Sequence, residues 1–142
     1  VAAGTWTSLP TTRTNLVNGT FDLDTQSFSV ALYTSSWTPT DTYSTTNELP
    51  TANGYTRPGF SLGVLSLSGT STVTVDDPVD PNWTASGGSL TARYAALHNG
   101  TNVLCYLVLD TTAGGTDVTV TDGNQLQLTL HANGFFQMAG TF

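Results

Sequence analysis

The sequence predicts an all-β domain, an antiparallel β-sandwich of jelly-roll or immunoglobulin-like type with about eight strands. Three observations lead there. Of 142 residues, 28 are Thr and 12 are Ser, and β-branched Thr favours pleated, half-buried positions over helices. No long segment keeps a 3.6-residue apolar period, whereas apolar-polar alternation of period two recurs along the chain. Between the alternating runs stand clusters of Gly, Pro, Asn and Asp, the residues that turns require.

Taken in order, residues 1–14 form a Thr-rich N-terminal arm carrying Trp6, and residues 15–132 form the sandwich. The first clear strand is 27–33, with Phe28, Val30 and Leu32 facing inward. Turn chemistry follows at 37–41 and 49–54, then a strand at 62–67 and another at 71–75 with Val73 and Val75 inward. Asp76, Asp77 and Asp80 lie in a turn with Pro78 and Pro81. The strongest local signal is Asn99-Gly100, expected to make a type I′ hairpin turn between 90–98 and 101–109. The second of these runs is almost wholly apolar, which suits a strand covered on both faces. After turn signals at 113–115, residues 125–131 alternate cleanly, with Leu126, Leu128 and Leu130 opposed by Gln125, Gln127, Thr129 and His131. Residues 133–142 are an apolar C-terminal tail with three Phe and one Met. Apolar ends on a low-charge domain pack either on their own core or on another subunit.

Charged residues make up only 9% of the chain, against roughly 25% in ordinary soluble domains. Nine Asp and one Glu face three Arg and no Lys, for a net charge of −7. Such a chain repels phosphate backbones and anionic bilayers, so neither nucleic acid nor membrane is expected as a partner. A surface so poor in charge suits a protein that is exported or mounted on an assembly. Cys105 has no second cysteine to pair with and sits in an apolar run, where a buried thiol is the plain reading. No run reaches the roughly 20 apolar residues of a membrane helix.

The residue types that carry chemistry are few. A nucleophile needs a base against it, and the two histidines, His98 and His131, fall at a hairpin turn and on the polar face of a strand. Asp22 with Asp24, and Asp76 and Asp77 with Asp80, could supply paired carboxyls or oxygen ligands for calcium, but Asp is also a common turn former. One Cys and two distant His do not make a zinc site. No catalytic residue, metal or cofactor is therefore expected. Trp37, Tyr43 and Tyr55 lie in or near loops, where core packing at strand ends is the plainer reading and stacking on sugar rings the sharper one. Arg57 and Arg93 are expected to pair with acidic groups or cap loop carbonyls, because the chain has few other cations.

Several stretches together resemble the small structural proteins of tailed bacteriophages: Gly19-Thr20-Phe21-Asp22-Leu23-Asp24, Phe28-Ser29-Val30-Ala31-Leu32-Tyr33-Thr34-Ser35, Thr46-Asn47-Glu48, Gly54-Tyr55-Thr56-Arg57-Pro58-Gly59 and Leu90-Thr91-Ala92-Arg93-Tyr94-Ala95. Their order and spacing match too, over about residues 18–130. The resemblance implies a non-enzymatic virion component on the capsid exterior, of the decoration or cement type that stabilises the major capsid shell. The major capsid protein would be its partner, and decoration sites at local threefold points imply a homotrimer. It carries over no catalytic residue. The residues before Thr14 do not look like the short helical opening of that group, and the Phe-rich tail is particular to this chain. The ends are therefore where assembly contacts are expected, through Trp6, Phe135, Phe136, Met138 and Phe142. The alternative is a tail-fibre module that binds a receptor or carbohydrate.

Overall fold

A computed structural model describes residues 2–140. The all-β class and antiparallel pairing are borne out, in twelve short strands rather than about eight. They are β1 (Thr7–Ser8), β2 (Phe28–Tyr33), β3 (Phe60–Gly63), β4 (Ser66–Ser68), β5 (Thr72–Asp76), β6 (Asn82–Thr84), β7 (Leu90–Ala92), β8 (Tyr94–His98), β9 (Val103–Val108), β10 (Val118–Val120), β11 (Gln125–Gln127) and β12 (Phe136–Ala139). The main sheet has the order β1-β9-β8-β2-β3; facing it are the ribbons β7-β10 and β6-β11 and the three-stranded sheet β4-β5-β12.

The larger number arises because strands change sheets where one was expected to continue. The strand expected at 62–67 divides at Val64 and Leu65: β3 pairs with β2, and β4 pairs with β5. Gly63 supplies the positive φ of 71° at the break. The run 90–98 likewise divides at Arg93, with β7 pairing with β10 and β8 lying between β2 and β9. A short helix, α1 (Thr12–Val17), is not predicted by the period of the sequence; the Thr12 hydroxyl donates to the Leu104 carbonyl at 2.7 Å and accepts the Leu9 N–H at 3.0 Å. Those bonds tie α1 to β9 irrespective of any helical period in the sequence.

The central strands of the main sheet, β2, β8 and β9, are buried on both faces. Phe28, Val30, Leu32, Ala95 and Leu97 face the smaller sheets, where Val75, Trp83, Leu90 and Phe135 complete the main core. On the reverse face Ala31, Tyr33, Ala96 and Val103 are covered by Leu9 and Trp37. The Trp37 ring stacks on Tyr33 at 4.3 Å and meets Tyr94 edge-on at 5.5 Å. Burial of each such large side chain stabilises the fold by about 1.5–3 kcal/mol. The segment joining β2 to β3 is thus a third layer.

Hydrogen bonds to a buried carboxylate hold that layer in place. Glu48 accepts from the Tyr43 hydroxyl at 2.8 Å and from the Tyr55 hydroxyl at 2.7 Å. Tyr55 in turn accepts the Leu32 N–H of β2 at 3.0 Å. Arg57 donates to the Glu48 and Leu49 carbonyls at 2.8 and 2.9 Å and lies 3.8 Å from the Glu48 carboxylate. Burial and the Glu48 charge push both tyrosine hydroxyls well above the ordinary phenol range. They remain donors at any physiological pH.

Candidate interaction surface

In an antiparallel sheet, residues directly opposite share a face, as do residues two apart. The registers of β4-β5-β12 therefore put Leu67, Val75 and Phe136 in one row and Val73 and Met138 in the next, all on one face. The other face carries Thr74, Gln137 and Ser66, with the Gln137 amide donating to the Thr74 hydroxyl at 2.9 Å. By ordinary patterning the apolar face should be covered. It is covered at the centre and not at the edges: Val75 on the middle strand is fully buried, Val73 and Phe136 are half-buried, and Leu67 on β4 and Met138 on β12, at opposite edges, are each 42% exposed. This sheet overhangs the core as an apolar ledge. Its edge strand β12 (Phe-Gln-Met-Ala) has none of the charge or Pro that blunts exposed edges.

The ledge continues into a groove of about 570 Å³, lined chiefly by Trp6, Leu107, Leu128, Leu130, Phe135 and Phe136, and by no carboxylate or arginine among the described residues. One wall comes from the N-terminal segment, which β1 fastens to β9. The other comes from residues 127–131, whose exposure keeps alternating although ladder pairing stops at Gln127. Gly134 explains how the chain reaches the ledge: at a φ of 63° it lies so close to the Val75 carbonyl that a Cβ would collide with it.

Two of the expected contact residues meet here. Trp6, half-buried, packs edge-on against Phe135 at 4.8 Å and 74°. Phe135 itself is buried in the main core, Phe136 borders both groove and ledge, and Met138 stands on the exposed end of the ledge. Phe142 lies outside the described residues. The sequence predicts Leu67 and Val73 as strand residues, Val73 facing inward, and not as part of a contact surface. The signal for them was the period-two match between 73–75 and 136–138, legible only once the two segments are known to pair.

The remaining candidates are engaged elsewhere. His98 is buried and stacks on the Tyr43 ring at 4.0 Å. Its Nε2 lies 2.9 Å from the Pro58 carbonyl, and its Nδ1 accepts the Gly100 N–H at 3.0 Å. Burial lowers its pKa to about 4, so at neutral pH it is an uncharged spacer. The His131 Nδ1 accepts the Asn133 N–H at 3.3 Å. Burial pushes the Cys105 thiol far up, out of the reactive range. Hydrogen bonds from Thr25 and Asp24 lower Asp22, while the bond to Asp22 raises Asp24. Burial first, then the charges of Asp76 and Asp80, raises Asp77 to about 6, and its buried Oδ2 has no partner. Asp80 accepts from Gln127 and Thr129 at 3.0 and 3.1 Å. The described residues hold no group of three or more His, Cys, Asp or Glu arranged for a metal ion.

Trp37 and Tyr55 are core residues, which removes them as sugar-stacking platforms, and Tyr43 is half-buried between Glu48 and His98. Arg57 caps loop carbonyls, and Arg93 pairs with Asp117 at 2.7 Å. No family model, curated protein or solved structure matches this chain.

Proposed function

We propose that this protein is a structural component of a tailed-phage virion, a decoration protein that seats on the major capsid protein through the ledge of β4-β5-β12 and the adjoining groove. The observation that carries the reading is the incompletely covered apolar face of that sheet, with Leu67 and Met138 on its two edge strands each 42% exposed on a face patterned for burial. An apolar face next to an unblunted edge strand is suited to a protein partner. Support comes also from the sequence resemblance over residues 18–130 and from the scarcity of surface charge. The His98 and Tyr55 side chains are held in structural hydrogen bonds, and Cys105 is buried in the core.

The proposal places the protein on the capsid exterior as a homotrimer, with the ledge facing the shell. Mass analysis of purified particles tests it: roughly hundreds of copies per particle support a shell component, and absence from the particle overturns the reading. A handful of copies would move it to the collar or tail. Light scattering of the isolated protein checks the trimer, and a monomer at high concentration would remove that part.

A further inference from the structure

The chain contains four Asn-Gly pairs: Asn18-Gly19, Asn53-Gly54, Asn99-Gly100 and Asn133-Gly134. In each, the glycine nitrogen can attack the Asn side-chain carbonyl carbon with no Cβ in the way. A bond forms between the Gly N and the Asn Cγ, the Cγ–Nδ2 bond breaks, and ammonia leaves with the proton released by the Gly N–H. Water then opens the cyclic imide at either carbonyl, giving aspartate or isoaspartate. The residue after the Asn is Gly at all four sites, so large differences between them come from the fold. The reaction needs a free nucleophile and a Cγ able to swing toward it.

Three of the pairs are fastened. At Asn99 the side-chain Oδ1 accepts from the N–H groups of Thr101 and Asn102, and the Nδ2 donates to Gln26 at 3.2 Å. The Gly100 N–H meanwhile donates to His98. A base at that nitrogen helps only if Cγ can reach it, and three bonds hold Cγ in place. Asn53 sits at a φ of 55° in a tight turn closed by the Ala52–Tyr55 bridge. Its Nδ2 donates to the Ser89 carbonyl at 3.2 Å, and its amide is wedged against Gly88. At the fourth pair the Gly134 N–H donates to the His131 carbonyl at 2.7 Å.

Asn18 is held by a single side-chain bond. It is exposed, and among the described residues neither its Nδ2 nor the Gly19 N–H has a hydrogen-bond partner. The space around Gly19 is open. Its Oδ1 accepts the Thr20 N–H at 2.9 Å, which polarises the carbonyl and stabilises the oxyanion formed on attack. We propose that Asn18-Gly19 is a self-modifying site, at which the fold leaves the nucleophile free and holds a donor on the electrophile. Conversion takes the net charge from −7 to −8, by one added carboxylate. In the isoaspartyl product it also lengthens the backbone at the C-cap of α1, where Asn18 donates to Thr14 at 2.9 Å.

The test is incubation of the full chain at mildly alkaline pH, with peptide mapping by mass spectrometry at all four sites, in native buffer and in concentrated urea. In the native protein Asn18 should convert about tenfold or more faster than each of the others. In urea the four rates should draw together. Native conversion at Asn53, Asn99 or Asn133 that matches Asn18 overturns the proposal, as does an inert Asn18 in the native chain. An undiminished lead for Asn18 in urea also overturns it, because the order would then belong to the sequence and not the fold.

Discussion

Half-buried Asp77 and buried His98 tilt stability with pH in opposite directions. Asp77 has a folded pKa of about 6, above the ordinary carboxylate value, so its contribution is fully present below about pH 4 and is lost as pH rises through 6. His98, lowered to about 4 by burial, works the other way: the unfolded chain takes up its proton first, so stability falls as pH drops from 6.5 toward 4. Asp77→Asn keeps the shape and removes the unpartnered carboxylate. Urea denaturation should show this variant gaining stability over the parent at pH 7 and gaining less at pH 5. An equal gain at both pH values would mean that Asp77 titrates normally. Glu48 makes the sharper case. Glu48→Ala leaves the Tyr43 and Tyr55 hydroxyls and Arg57 without their shared acceptor, and should cost about 2–5 kcal/mol by the same measurement. Glu48→Gln, which keeps an acceptor, should cost distinctly less. Nothing local in the sequence marks Glu48 as buried, because its partners come from positions 43, 55 and 57 and from the sheet beneath. Turn chemistry was legible only in part. The hairpin at Asn99-Gly100 is present, but only Gly100 has a positive φ there, and the Asn99 side chain closes a four-residue loop. The left-handed pair expected at that turn occurs at Asn53-Gly54, with φ of 55° and 89°.

At the scale of elements, alternation found the faces well and the boundaries poorly. Leu126, Leu128 and Leu130 do all point inward, yet only 125–127 are paired as a strand, because side-chain burial persists where a ladder partner has run out. For β2, alternation gave one inward face where both are buried. The covering Trp37 layer is contributed from outside the strand. The same reasoning separates two neighbours in the C-terminal segment. Phe135 fills the core against Trp6, so Phe135→Ala should cost about 3–5 kcal/mol of stability. Met138→Asp, on the exposed end of β12, should change stability by less than about 1 kcal/mol. Thermal denaturation followed by circular dichroism checks both. A large loss at Met138 would mean that the end of the ledge belongs to the fold itself.

For the whole molecule, charge and the ledge act against each other. Two of the three arginines are engaged internally, Arg57 with Glu48 and its neighbouring carbonyl and Arg93 with Asp117, so the remaining charges are almost all anionic and copies repel at neutral pH. That repulsion keeps an uncovered apolar face from joining copies at random. It vanishes near the isoelectric point, at about pH 4.1 by composition, where enough carboxylates are protonated for the rest to be balanced by the few cations. Light scattering across pH should then show association rising steeply as pH approaches 4 and reversing on return to neutrality. If the ledge is the adhesive surface, the double variant Leu67→Asp, Met138→Asp should remain dispersed at pH values where the parent associates. An aspartate opposite Val75 and another opposite Val73 would break up both apolar rows as well as add charge. A double charge placed on the polar face of the same sheet, Ser66→Asp with Gln137→Asp, supplies the control. It changes net charge equally and leaves both rows intact, so it should shift the onset only as far as charge alone dictates. Equal protection by both variants would show that the adhesive surface lies elsewhere. Protection by the ledge variant alone, together with its failure to bind purified capsids at neutral pH, would join solution behaviour and assembly contact at one face.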